Sequence, residues 1–241
     1  MSAAGNAFDP RSRARLSPRD VARFPGDTLF DRVARVVCHA DCLPRKELYE
    51  SWEVARRVRR RLRGGRVVDL ACGHGLLAYL LLLLDDSSPD ALAVDVRLPQ
   101  SAGQLAAELE RAWPRLVGRV RREEVALEWV RICPTDLVVS AHACGALTDT
   151  VLDVALAARA RVAVLPCCQD AALGDLGGLG GWLDPALAID ATRVARVRAQ
   201  GYSVHTQQIP AAITPKNRLL LASPAAAPGR AVAPAPDVVP G

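Results

Sequence analysis

No stretch of this chain is apolar for long enough to cross a bilayer. The longest run, residues 76–84, is interrupted by Ala78 and Tyr79 and stops at Asp85 and Asp86, about half of the roughly 20 residues a spanning helix needs. The first residues carry Asp9 and several arginines but no apolar core of the kind that directs secretion. A soluble, cytoplasmic protein is expected. Lysine is nearly missing: Lys46 and Lys216 are the only two, so arginine carries almost all the positive charge in a formal net charge of +5. Part of this follows a composition rich in Ala, Arg and Leu, yet the planar guanidinium also suits phosphate. Aromatic residues make up only 4%, which leaves few rings for stacking on bases. The seven cysteines (38, 42, 72, 133, 144, 167 and 168) are odd in number and have no secreted context, which argues against a disulfide framework. Cys144 has no C-x-x-C partner, so no metal site is expected. Cys38, His39 and Cys42 are the close spacing near the N-terminus, and Cys38 is expected to face the core of its helix. No internal repeat is present.

Half of the residues are hydrophobic, enough for one α/β domain with a full core. Residues 1–26, polar and punctuated by Pro10, Pro18 and Pro25, read as loosely ordered. Asp27 is placed to cap a helix running to about His39, and Pro44 suits the first turn of a second. The stripe Leu48, Trp52, Ala55, Val58 and Leu62 is the apolar face of that second helix. Its other faces hold Arg56, Arg57, Arg59, Arg60, Arg61 and Arg63, and Gly64-Gly65 stops it. Residues 1–63 are thus expected to be an N-terminal extension, partly disordered and then two helices. Beyond it, short aliphatic runs alternate with helical stretches. Strands are expected at 67–70, 91–95, 117–120, 137–140 and 162–165, and helices at 75–84, 101–112, 148–158 and 185–199. Two last strands, 202–209 and 218–222, read as an antiparallel hairpin. The fold class is therefore α/β, a Rossmann-like, doubly wound, mostly parallel seven-stranded sheet with a C-terminal hairpin. This domain spans 64–222, and the Ala/Pro-rich tail 223–241 should be disordered.

Asp69-Leu-Ala-Cys-Gly73-His-Gly75 sits where the first strand hands over to the first helix of the sheet. Glycines there let the backbone turn and approach a ligand. Gly73-x-Gly75-x-x-Ala78 also satisfies a relaxed dinucleotide fingerprint, so NAD competes. Asp69 discriminates, because an acid at the strand end repels a pyrophosphate but can pair with the ammonium of a bound amino acid. Asp95, at the end of the second strand, can accept both hydroxyls of a ribose. Two acids at consecutive strand ends fit S-adenosylmethionine (SAM), an amino acid joined to a nucleoside, better than NAD. The candidate cofactor contacts are Asp69, Ala71, Cys72, Gly73, His74, Gly75, Asp95, Val96 and Ser140.

The acid-glycine loop is similar to the SAM-binding motif of class I methyltransferases. Ser140-Ala-His142-Ala-Cys144-Gly145 with Thr148-Asp149, then Pro166-Cys167-Cys168-Gln169, and Thr214-Pro-Lys216-Asn217 narrow the likeness. Together they resemble the group that contains the tRNA acceptor-stem ribose 2′-O-methyltransferases and uncharacterised methyltransferase-like proteins. The resemblance covers about residues 45–222 and implies a SAM-dependent methyltransferase acting on RNA (tRNA or rRNA), with a small molecule as the alternative acceptor. Three departures stand out. Ala71 replaces the usual first glycine of the loop, which an alanine tolerates if its φ is negative. Gln169-Asp170 stands where the tRNA enzymes tend to carry histidines, and residues 1–43 are too short for their zinc-finger region.

Cys72, His74, His142, Cys144, Cys167 and Cys168 should converge on one crevice at the strand ends. His142 is the best candidate base for a hydroxyl or amine acceptor, the residue type whose ordinary pKa lies nearest neutrality. The alternative reading is that it only hydrogen-bonds the backbone and helps hold SAM. Alternatively Cys144 with Cys167 or Cys168 attacks a pyrimidine, as in 5-methylcytosine RNA enzymes. Cys144 and Cys168 therefore join His142 as candidate catalytic residues. An Asn-Pro-Pro-aromatic clamp for exocyclic amines of bases is absent, which weighs against base N-methylation. Arg56, Arg57, Arg60 and Arg63 are the candidate phosphate contacts to RNA. Asp190, Arg193, Lys216 and Asn217 lie where an acceptor pocket is often shaped, and capping or turn chemistry explains them as well. An NAD-binding protein, or a SAM- or RNA-binding module without activity, stays open.

Overall fold

Four aliphatic runs form the buried heart of the sheet: β1 (Val67–Leu70), β2 (Ala91–Asp95), β4 (Leu137–Ser140) and β5 (Arg161–Val164). Such runs suit strands covered on both faces. The computed structural model describes residues 8–167, 169, 172 and 174–225. With β3 (Val120–Glu124), β6 (Tyr202–Gln208) and β7 (Arg218–Pro224), the order across the sheet is β3-β2-β1-β4-β5-β7-β6. The first five strands are parallel, and β7 runs antiparallel to β5 and β6. Asp69 lies level with Ala93 of β2 and Val139 of β4. The strand order reverses between β1 and β4, and the carboxyl ends there open into the crevice where such sheets bind ligands.

Alternation along the strands divides the core. Val67, Ala93, Val139, Ala163 and Leu221 face α1 (Leu29–Ala40), α2 (Arg45–Arg59), α3 (Leu76–Leu84) and α4 (Ala102–Ala112). Val68, Val94, Val138, Val164 and Leu220 face α5 (Leu147–Ala157) and α6 (Pro185–Ala199). Residues 76–83 of α3 are all buried, as a helix apolar on every side must be. It packs against α2.

The structure corrects several sequence expectations. The third strand lies at Val120–Glu124 rather than 117–120. A 3-10 turn at Pro114–Leu116 and Gly118, at φ +72°, occupy the earlier residues. Only Val120 of that strand is buried, so a charged edge strand carries no aliphatic run to find. Thr28, not Asp27, caps α1, accepting from the Asp31 amide. Within residues 8–26, Leu16 and Phe24 are buried against the helices. Leu16 is fully buried and its amide donates to Leu43 O, 2.9 Å. Phe8, Phe24, Phe30, Tyr49 and Trp52 form a chain of ring contacts. A few isolated apolar residues carry this packing, and they have no periodicity. At the other end Ser223 and Pro224 belong to β7; the rest of the tail, 226–241, lies outside the described residues.

Arg59 is not on a solvated face either. It is buried, with its guanidinium donating to Leu81 O (3.0 Å), Leu62 O (3.3 Å) and Ser88 Oγ (2.8 Å), and it pairs with buried Asp85 at 3.2 Å. Burial lowers its pKa to about 10, against the opposing pull of Asp85. This pair fixes the end of α2 against the end of α3. Removing one member leaves the other charge enclosed, which costs about 3 kcal/mol or more. Arg59→Ala should therefore lower the unfolding free energy by about that amount in urea titrations, whereas Arg60→Ala, on the solvent side, should change it by less than about 0.5 kcal/mol.

Candidate functional site

The loop after β1 alternates the sign of its backbone. Ala71, Gly73 and Gly75 take φ of +55°, +54° and +79°, and the residues between them do not. Ala71 thus departs from the expectation of a negative φ. It keeps the left-handed conformation that the missing glycine would adopt, at a cost of about 1–2 kcal/mol for an L-residue. Gly75 precedes the first residue of α3, so the free amides of that helix's first turn point toward the β1 end. The loop is tied to its neighbours by backbone bonds: the Cys72 amide donates to Val94 O (3.0 Å) and the Gly75 amide to Cys72 O (2.9 Å). Asp95 holds it from β2, since its carboxylate accepts from the Gly73 amide (2.9 Å) and the Arg97 amide (3.3 Å).

Asp69 is the buried member of the set, 1% exposed, and one of its oxygens has no partner among the described residues. Burial pushes its pKa up to about 8, the negative charges of Asp95 and Glu47 add to the rise, and a bond from the Ala78 amide opposes it. Sequence reasoning missed Glu47. It stands in the first turn of α2, where an acid reads as ordinary helix-end chemistry. Its Oε1 lies 3.8 Å from His74 Nδ1 and 3.8 Å from His142 Nε2. At that distance neither contact is a hydrogen bond. His74 also meets Ser101 Oγ through Nε2 at 3.0 Å.

His142 and Cys144 follow β4, and Cys167 follows β5. The sulfurs of Cys144 and Cys167 are 2.6 Å apart. Cys168 lies outside the described residues. Cys72, by contrast, is buried and its thiol donates to Gly73 O; burial raises its pKa strongly, so it stays a thiol. Ser140 is buried with its hydroxyl unpartnered among the described residues, and Val96 is exposed by 69% beside Asp95. Cys38 is buried in the core of α1. No group of three or more potential metal ligands occurs among the described residues, and no helix among them is long and apolar enough to cross a membrane.

The structure gives Asp190 and Arg193 a packing role. Asp190 accepts from Gln169, Arg193 and Arg218, and Arg193 also binds Asp149 and Gly145 O, which links α5, α6 and β7. Asn217 closes the hairpin loop by donating to Ile209 O, 3.0 Å, and the Lys216 amide bonds Thr214 Oγ1. From Pro166, the residue before Cys167, a cavity of about 380 Å³ opens between α6 and the hairpin, lined also by Leu187, Val194, Thr206 and Leu220. Of the four arginines expected to meet RNA, Arg56 and Arg57 pair with Glu53, and Arg63 lies 3.8 Å from Asp85. Arg60 has no such partner among the described residues.

The raised pKa of Asp69 has a definite sign in stability. The folded state holds this proton more tightly than an unfolded chain, whose aspartates titrate near 3.9. Its contribution is therefore fully present below about pH 4 and is lost as pH rises to about 8. Relative to Asp69→Asn, the protein without ligand should lose stability across that window, by up to about 1.4 kcal/mol per pH unit, and then level off. Denaturation curves at pH 5, 7 and 9 measure this. Parallel pH profiles for the two proteins would contradict it.

The family model for a methyltransferase domain matches residues 46–173, more than half of the chain. No curated protein matches it. Among solved structures, it resembles an O-methyltransferase family protein from Burkholderia thailandensis, with a TM-score of 0.51 and 19% identity over 89% of this chain and 65% of that one. The chain thus spans less than two thirds of that relative's length. The tRNA (m1A22) methyltransferase TrmK of B. subtilis gives 0.46 and 15%, over 72% of this chain and 65% of that one. TrmK of M. capricolum, solved with S-adenosylhomocysteine, gives 0.47 and 12%, over 70% and 66%. At such identities the likeness to structures is one of fold. The family match, with this sheet order and the acid-glycine loop at its switch point, places the chain in the methyltransferase-domain family, whose class I fold uses SAM.

Proposed function

We propose that this protein transfers a methyl group from SAM to RNA, with tRNA or rRNA as the acceptor, and that His142 assisted by Glu47 takes the acceptor's proton. The observation that carries the cofactor half is the enclosure of three carboxyl groups, Glu47, Asp69 and Asp95, around one loop. A pyrophosphate placed there would meet carboxylates; an ammonium would meet the unpartnered oxygen of Asp69. The residues therefore fit SAM and disfavour a dinucleotide. Asp69 and the loop 71–75 would hold its amino-acid end, and Asp95 and Val96 its nucleoside end, with Ser140 closing the β4 side. SAM, when bound, supplies a methyl group on a sulfonium.

His142 is partly exposed at the crevice, with 30% of its side chain accessible, while Glu47 behind it is more enclosed at 17%. Glu47 Oε1 stands 3.8 Å from Nε2 of the His142 ring. The RNA half is supported by the resemblance to acceptor-stem ribose methyltransferases and by the arginine-rich flank of α2. The apolar cavity that opens from Pro166 offers a place for part of the acceptor. A cytoplasmic location goes with an RNA acceptor. Residues 8–225 are proposed to form one unit, because the core of α1 and α2 runs without a break into that of β1 and α3.

Incubation with tritium-labelled SAM, total RNA and a small-molecule extract should place the label in RNA, read by nucleoside mass spectrometry. His142→Ala should lower kcat by about 100-fold or more. Glu47→Gln, which keeps the shape and removes the acid 3.8 Å from the ring, should lower it by less than His142→Ala does. Cys144→Ala should stay within a few-fold of the wild type. Label confined to the small-molecule fraction would overturn the RNA acceptor. Loss of transfer in Cys144→Ala with retention in His142→Ala would replace the base by a covalent cysteine.

A further inference from the structure

Away from the crevice, a trench of about 600 Å³ runs between α2 and the edge strand β6, lined by Arg57, Arg60, Arg61, His205 and Gln207. Arg57 joins its two walls, donating through Nε to Gln208 O at 3.2 Å while its Nη1 meets Glu53. Arg60 and Arg61 follow just past the last turn of α2, and both are exposed. Neither has an ion-pair partner among the described residues. On the strand side, His205 and Gln207 stand level with Leu221 and Leu219 of β7. Both leucines belong to the core beneath α1–α4, so His205 and Gln207 share the sheet face that carries α2. No acidic residue occurs in β6, and Glu53 is already engaged by Arg56 and Arg57.

Like charges gathered in a concavity without a counter-charge repel one another and raise the local potential. Guanidinium forks with an imidazole and an amide make up the donor set that takes phosphate oxygens. Position says which phosphate. Thirteen residues of helix and turn separate Glu47, in the crevice, from Arg60, about 20 Å at 1.5 Å per residue. An anion in the trench is therefore too far away to be the reacting group. A small acceptor cannot span that distance, whereas a nucleic-acid strand rising about 3.4 Å per nucleotide covers it in about six.

We propose that the trench is a docking subsite for the phosphodiester backbone of the RNA acceptor, remote from the methyl-transfer crevice. The inference rests on the RNA reading above. Binding of a fluorescein-labelled tRNA transcript by the full chain, followed by anisotropy from about 50 to 200 mM salt, tests it. The double variant Arg60→Gln/Arg61→Gln should bind at least about tenfold more weakly at low salt. The slope of log K against log salt should fall by about 1–2. Melting-point shifts with S-adenosylhomocysteine should match the wild type, as should kcat at saturating RNA, with the loss appearing in KM. Arg121→Gln/Arg131→Gln, which removes the same charge from exposed positions outside the trench, should keep nearly the wild-type slope. A wild-type slope in the trench variant, or an equal loss in the control, overturns the subsite alone. Failure of the wild type to bind any RNA, with the cofactor shift intact, overturns the RNA reading along with it.

Discussion

The carboxyl group of Asp69 sets the terms for everything around it. It closes the central strand of the sheet, flanked by β2 and β4, at the point where the strand order reverses. A carboxyl group enclosed there, with one oxygen unpartnered among the described residues, is costly. The same corner stores a second cost in Ala71, an L-residue held at φ +55°. Both costs fall on the same short loop. Both lie at the carboxyl end of β1, where the strand order reverses and such sheets open into a crevice.

Helix α2 is the element that couples the parts. Its first turn brings Glu47 over the loop, between His74 and His142. Its middle covers the fully apolar α3. Arg59, at its last turn, is locked by Asp85, and just beyond it Arg60 and Arg61 are left to solvent. One helix thus sets the distance between the crevice and the arginine trench. The Arg59–Asp85 pair and the packing on α3 hold the helix in place between them.

Much of this was legible in the residues. The buried strands are aliphatic runs, so β1, β2, β4, β5 and their helices were found within a residue or two, and Asp69, Gly73, Gly75 and Asp95 stood out by type and spacing. What escaped notice has physical reasons. β3 is an edge strand whose Arg121, Arg122, Glu123 and Glu124 read as a polar loop. Arg59 looks like its arginine neighbours, and only the three-dimensional position of Asp85 distinguishes it. Glu47 comes from a helix twenty-two positions before Asp69, and no local pattern ties an acid there to histidines at 74 and 142. The left-handed φ of Ala71 is invisible in an alanine. The packing of residues 8–26 rests on Leu16 and three phenylalanines separated by polar residues, which no period reveals.

That last packing bears on the chemistry. Arg35 donates to Phe24 O and Gly26 O at 2.6 Å each, and the Arg45 guanidinium donates to Asp9 O at 3.1 Å while lying 3.4 Å from the Phe8 ring centroid. The amides of Arg45 and Lys46 donate to Ala14 O and Ser12 O. These bonds grip the first turn of α2, and Glu47 is the next residue. The direction in which Glu47 points is therefore set by a segment that has no part in the sheet. Residues 9–14 thus hold the start of the helix that carries Glu47 to the loop.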